Sequence, residues 1–306
     1  KLGGDALAAQ ADQAAMLAKA DLLTDMVGEF PELQGIMGRY YAQHDGLSDE
    51  VAFAIEDHYK PRFAGDELPR NLVGICVSLA DKLETLVGMF GIGQIPTGDK
   101  DPFALRRHAM GVIRMLVEKE MQIGLNELFG IALRVFPSFT KDAALQLEDF
   151  IYDRLSGVFR EQNYSVQEID AVLTLRPQRF NDASKRLAAV HAFTELPEAI
   201  ALAAANKRVG NILKKVEGEV ALKVNPDLFI EPAEKMLIAE LTIVTPKVSL
   251  QYDMGNYTAS LQALAALRVP VDAFFDGVMV NVDDPVGVRF DAQRVHLFDA
   301  ASGVAL

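Results

Sequence analysis

The sequence predicts an all-α protein of two helical domains, and three observations carry that expectation. Segment after segment repeats apolar residues at the three- and four-residue spacing of one helix face. Proline, glycine and pairs such as Asp-Gly and Asn-Pro punctuate those segments. At 306 residues the chain also exceeds what a single core usually organises.

Residues 1–18 are Ala-rich strong helix formers and read as a helix running into Lys19. The stretch Lys19–Asp45 mixes a helical pattern with polar residues that a core does not want. Leu22, Leu23, Met26, Val27 and Phe30 share one helix face with Asp21 at its edge, Pro31 stops that helix, and Glu32–Tyr41 opens another with Leu33, Ile36, Met37 and Tyr40 facing one way. Asp45-Gly46 is a turn, and Ser48 is the expected N-cap of a helix to His58, with Asp49 and Glu50 suiting its dipole. Lys60–Asn71 reads as a loop. Leu72–Phe90 is an almost wholly apolar helix interrupted by Asp81-Lys82, and an acid there needs a buried partner.

Gly91–Pro102 is a surface loop that lacks the preceding strand and the Gly-Lys-Ser/Thr ending of a phosphate loop. From Phe103 an amphipathic helix carries Arg106, Arg107 and Arg114 off its apolar face. Further helices are expected over Asn126–Phe136 and Lys141–Gln162, after Ser165, and, beyond the break at Arg176-Pro177, over Ala183–Lys215, Ala233–Thr245 and Tyr257–Leu267. Within Val271–Val280, Val271, Phe274, Phe275 and Val278 read as core.

Composition narrows the function classes. No apolar run reaches about 18 residues, so no membrane span is expected. The single Cys76 cannot pair internally and reads as a buried thiol in a reducing compartment. Lys1 in place of Met is expected of a fragment cut from a longer chain. A net charge of −13 argues against nucleic-acid binding through the bulk surface. Against it, Lys185, Arg186, Lys207, Arg208, Lys214 and Lys215 outnumber Glu195 and Glu198 over Lys185–Lys215. Asn206, Lys207, Arg208, Asn211, Lys214 and Lys215 recur at helical spacing, a pattern that fits either phosphate and base-edge contacts or an ordinary solvated face. The five histidines form no HExxH, and neither CxxC nor Gly-x-Ser-x-Gly occurs. His44-Asp45 sits where a helix ends and reads as a solvated turn.

Long stretches of this chain, among them KADLLTDMVGEFPELQGIMGRYYA, HYKPRFAGDELP, ADKLETLVGMFGIGQIPTGDKDPFALRRHAMGVIR, LAAANKRVGNILKK and LRVPVDAFFDGVMVNVDD, resemble the C-terminal part of the β-subunit of the bacterial tetrameric glycyl-tRNA synthetase. The resemblance implies an HD-like helical domain over 1–125, a helical linker over 126–182 and a helical-bundle anticodon-binding domain, DALR-like, over 183–306. RFDAQRVHLFDAASGVAL departs from the family's closing Arg-x-x-Arg-Leu helix. Ala20 stands where an HD histidine belongs, so Asp21, His58 and Asp81 are implied to be a vestigial set; no metal ligand and no catalytic residue is expected, and Asp81 is expected to hydrogen-bond helix ends. The resemblance also selects RNA for the basic face of Asn206, Lys207, Arg208, Asn211, Lys214 and Lys215, and Arg268, read as exposed beside Pro270 and Asp272, is a further tRNA-binding candidate. Implied partners are tRNA(Gly) and an α-subunit, in an α2β2 assembly in the cytoplasm. No cofactor is expected here, ATP and Mg acting on the α-subunit. An HD-type nucleotide phosphohydrolase and a purely architectural subunit are the rival expectations.

Overall fold

The structure, a computed structural model, describes residues 2–136, 141–214 and 229–278. Among them the chain is helical with no sheet, and a single antiparallel bridge joins Thr97 to Lys100. The chain divides into two compact units, Lys1–Val158 with Gln178–Asn181, and Phe159–Pro177 with Asp182–Leu306.

The first unit is built around α5 (Leu72–Gly91). Its apolar residues pack against α4 (Asp49–Asp57), α6 (Leu105–Glu118) and α7 (Leu125–Ala132). The Ala-rich α1 (Asp5–Leu17) lies on α4 and α5, where the small Ala14, Ala18, Ala52 and Ala54 let backbones approach around Ile55, Val73 and Val77. Leu86, Phe90, Leu105, Ile113 and Leu116 are among the fully buried side chains that continue this core. Ser48 caps α4 as its sequence predicts, accepting the Val51 N–H, and Asn71 caps α5 through the Gly74 N–H. Cys76, expected to be buried, is only half-buried, and that burial pushes its thiol up.

Between α1 and α4 the expected pair of amphipathic helices is replaced by shorter pieces. A 3₁₀ turn over Ala20–Leu23 leads to α2 (Asp25–Glu29), a second 3₁₀ turn covers Pro31–Leu33, and α3 (Ile36–His44) follows. Thr24 starts α2 afresh by accepting the Val27 N–H, so Leu22, Leu23, Met26 and Phe30 never align on one buried face. All four are exposed, Leu23 at 91%. Asp21, expected at the edge, is the residue that goes inside.

The second unit contains α9 (Val166–Leu173), α10 (Phe180–Thr194), α11 (Ala199–Leu213), α12 (Pro232–Asp253), α13 (Tyr257–Leu264) and α14 (Arg268–Gly277); α8 (Lys141–Glu161) precedes it and carries the division between units. Its core gathers Phe193, Leu202, Leu237, Val244, Val248, Leu264, Leu267, Val271 and Phe274. Ser165 opens α9 with a full capping box: its hydroxyl accepts the Glu168 N–H while Glu168 accepts the Ser165 N–H. Glu168 is buried, and its carboxylate also takes His191 Nδ1 at 2.7 Å. The helix expected to stop at Thr245 instead runs through Pro246 to Asp253. Buried Val244 and Val248 flank the proline, and their packing holds the helix across the missing N–H.

Candidate functional site

The residues of the vestigial HD pattern all lie in the first unit, and each has one protein partner, although Asp21 Oδ1 and His58 Nε2 have none. Asp21 Oδ2 accepts the backbone N–H groups of Gly35 at 2.7 Å and Gly38 at 3.2 Å. Gly35 adopts φ 78°, a left-handed conformation that suits glycine, and a Cβ at Gly38 would stand 2.7 Å from Ile55 and 3.2 Å from the Asp21 carboxylate. Asp21 therefore ties the entry to α3, the structural task expected of Asp81. Asp81 is instead paired with Lys19 at 2.6 Å, a partner whose side chain is 55% exposed. His58 is fully buried and its Nδ1 meets the Ile55 carbonyl at 2.7 Å. Burial holds its imidazole below the ordinary histidine range. Among the described residues no three His, Cys, Asp or Glu side chains converge as a metal site. His44 and Asp45, 88% and 74% exposed, lie at the end of α3 as the solvated turn their sequence predicts.

The buried charge of α5 is Lys82, not Asp81. Its side chain is 2% exposed, and its ammonium donates to the Ser78 hydroxyl at 2.9 Å and the His58 carbonyl at 3.1 Å. Gly111 makes room for it, since a Cβ there would fall 2.7 Å from the lysine Cε. Burial brings the ammonium down to about 8. The charged dipeptide in an apolar helix was visible in the sequence, but spacing alone does not tell which of two neighbours turns inward.

In the second unit the basic residues fall on and around α11. No acid occurs between Ala199 and Lys214. Lys207, Asn211 and Lys214 recur at four- and three-residue steps and share one face, on which Asn211 and Lys214 are exposed and Lys207 is half-buried. Arg208 flanks that face, with its guanidinium 4.2 Å from the centre of the Phe275 ring. Asn206 turns the other way and borders an apolar cavity with Leu202, Val209, Phe274 and Phe275. Arg268, at the start of α14, pairs with Asp272 at 3.7 Å. Lys215 and the segment RFDAQRVHLFDAASGVAL lie outside the described residues. The stack of Arg208 on Phe275 escaped the sequence reading, which took Phe275 as core, because no periodicity links α11 to α14.

The chain is also similar in sequence to known proteins. Residues 1–174 match the family model described as glycyl-tRNA synthetase beta subunit. The chain is 67% identical over 286 residues to the glycine–tRNA ligase beta subunit of Thiobacillus denitrificans, covering 93% of this chain and 41% of that protein. It is 68% identical to the beta subunit of Janthinobacterium sp. (strain Marseille) over 93% of this chain and 40% of the relative, and 68% identical to that of Polaromonas naphthalenivorans over 92% and 40%. The chain thus spans about 40% of the length of the curated relatives it matches. A helical chain matched over most of its length at this identity belongs to the glycyl-tRNA synthetase beta subunit family.

Proposed function

We propose that this chain is the tRNA-binding part of a glycyl-tRNA synthetase β-subunit, holding tRNA(Gly) in the cytoplasm while a separate α-subunit, within an α2β2 assembly, activates glycine with ATP and Mg. The observation that carries the reading is α11, a helix with no acid of its own, on which Lys207, Arg208, Asn211 and Lys214 stand together in a chain of net charge −13. A polyanion approaches such a chain where the repulsive field is locally reversed. Lys207 and Lys214 hold phosphates, and the amide of Asn211 reaches a base edge. The stacked pair of Arg208 and Phe275 presents a planar surface of the kind on which unstacked loop bases rest.

The rival reading, an HD-type nucleotide phosphohydrolase, requires several side chains free to bind a divalent ion. Among the described residues no three His, Cys, Asp or Glu side chains converge, and Asp81 is tied up by Lys19. No single helix among the described residues is long and apolar enough to cross a membrane. Titration of labelled tRNA(Gly) with this chain tests the proposal. Saturable binding that outcompetes a noncognate tRNA is expected; absence of binding, with retained association to the α-subunit, would leave only an architectural role.

A further inference from the structure

The first unit contains a cavity of about 510 Å³ between the α3–α4 region and the start of α6. That volume is in the range of small-molecule sites. Lys82 forms part of its wall, together with Tyr59, Arg107 and His108. The buried ammonium of Lys82 has two good hydrogen bonds, both to neutral oxygens, and a third contact to the Tyr59 carbonyl at 3.5 Å, the limit of a hydrogen bond. No carboxylate touches it. A buried cation in contact with neutral groups alone is expensive.

Other atoms in the same cavity are also unmatched. Among the described residues, the buried side-chain polar atoms that lack a partner include Tyr59 OH and His108 Nδ1, both on residues of this wall. His58 Nε2 and Asp21 Oδ1 are two more, on side chains close by. Tyr59 lies beside Gln34 without a well-formed hydrogen bond to it. Arg107, exposed at the rim, makes no ion pair among the described residues.

The acids bordering the cavity do not supply the missing anion. Glu56 is bound by Arg39 and Arg70, and Asp81 by Lys19. Of the cations, Lys60 is paired with Asp57 and Glu67, and Arg62 with Asp66. Glu32 sits exposed at the mouth. Two cations, Lys82 and Arg107, therefore remain without a contact anion, alongside a phenol and an imidazole able to donate.

We propose that this cavity binds the terminal phosphate of a phosphomonoester, with Lys82 and Arg107 matching its charge and the Tyr59 hydroxyl and the His108 ring nitrogen donating to its oxygens. A phosphomonoester carries about −1.5 to −2 charges and three strong acceptor oxygens, which suits two cations and two further donors better than a singly charged carboxylate or phosphodiester. Binding is retention only, with no bond made or broken. The ligand is either a free nucleoside monophosphate or the phosphorylated end of an RNA, two sources of one chemistry.

The test is a calorimetric titration of the chain with AMP, with wild type, Tyr59→Phe, Arg107→Gln and Lys82→Met compared after checking that each melts cooperatively. One saturable site is expected in the wild type. Loss of a charge-assisted contact in Arg107→Gln should weaken it about tenfold, and loss of one neutral hydrogen bond in Tyr59→Phe about threefold to tenfold. Tyr59→Phe and Arg107→Gln alter a single atom and an exposed side chain, so they keep the test valid if Lys82→Met fails to fold. A short single-stranded RNA with a 5′-phosphate should displace AMP, and the same RNA without it should not. Absence of saturable binding up to about 10 mM AMP, a range that reaches well past millimolar affinity, would overturn the proposal. Binding unchanged in both Tyr59→Phe and Arg107→Gln would place the ligand elsewhere and overturn it too. Equal displacement by the unphosphorylated RNA would overturn the monoester assignment.

Discussion

Asp57 holds a dense set of charged hydrogen bonds in the first unit. Its side chain is fully buried; it accepts from the Arg70 backbone N–H at 2.9 Å and from the Arg70 guanidinium through two bonds of 2.8 Å, with Lys60 at 3.1 Å. Burial pushes its carboxyl up, yet these bonds prevail and hold it below the usual carboxylate range of 3.8. Asp57→Asn leaves two cations short of an anion, and because Arg70 is partly exposed we predict a loss of about 2–3 kcal/mol rather than the upper range for buried pairs, measured by urea unfolding at pH 7. The folded-state pKa lies below the unfolded one, so this stability is present above pH 3.8 and fades as pH falls through the folded value. The difference between wild type and Asp57→Asn should therefore shrink below about pH 4.

Lys82 has the opposite sign. Its ammonium is lowered from 10.5 to about 8, so the native state sheds this proton before the unfolded chain does. The burial cost, about 3 kcal/mol from a shift of that size, is fully present below pH 8 and is relieved as pH rises towards 10.5. Wild-type stability relative to Lys82→Met should therefore climb between pH 8 and pH 10.5, and a flat difference across that window would contradict the assignment. At this scale the sequence marked Asp21, Asp81 and Lys82 as anomalous in their apolar surroundings, and the family resemblance singled out His58. It did not assign their tasks, because whether a side chain reaches a helix-end N–H or a neighbouring ammonium depends on contacts as distant in sequence as Lys19 and Asp81.

Helix boundaries were legible wherever a local device set them. Ser48 and Ser165 cap the helices they were expected to cap, and α6 spans Leu105–Glu118 inside the expected amphipathic run. Reading failed where packing overrode a local rule. The apolar spacing of Leu22, Leu23, Met26 and Phe30 is genuine, but the 3₁₀ turn and the Thr24 cap break its phase. Pro246 is the reverse case, a helix breaker that stops nothing because Val244 and Val248 are anchored in the core of the second unit. Such a proline still forgoes one backbone hydrogen bond and crowds the preceding turn. Pro246→Ala is thus predicted to stabilise the second unit by about 1–3 kcal/mol, the upper figure being the full propensity difference; a lower midpoint in thermal or urea unfolding would mean that the proline relieves strain set elsewhere.

For the molecule as a whole, charge is the property on which the proposed tRNA binding rests, and most of it was readable before any fold was known. The net −13 and the local reversal near Lys207–Lys215 are facts of composition and order. The fold adds the direction of each residue: Asn206 turns towards the cavity lined by Phe274 and Phe275, whereas Lys207, Asn211 and Lys214 keep to one face. If the proposed tRNA face is right, replacing Lys207 and Lys214 together by Ala removes two phosphate contacts and two released counterions. The slope of log K against log salt for tRNA(Gly) should then flatten by about 1.4–1.8, since each contact contributes about 0.7 on a single strand and 0.9 on a duplex. Asn211→Ala removes no charge, so it should leave that slope unchanged while narrowing the preference for cognate over noncognate anticodons by about 1–3 kcal/mol. The two variants separate the electrostatic grip from the reading of the base, because salt acts only on the first. Should the double lysine variant bind with wild-type affinity and slope, α11 is not the face that meets tRNA, and Arg107 in the first unit, which makes no ion pair among the described residues, becomes the next place to look.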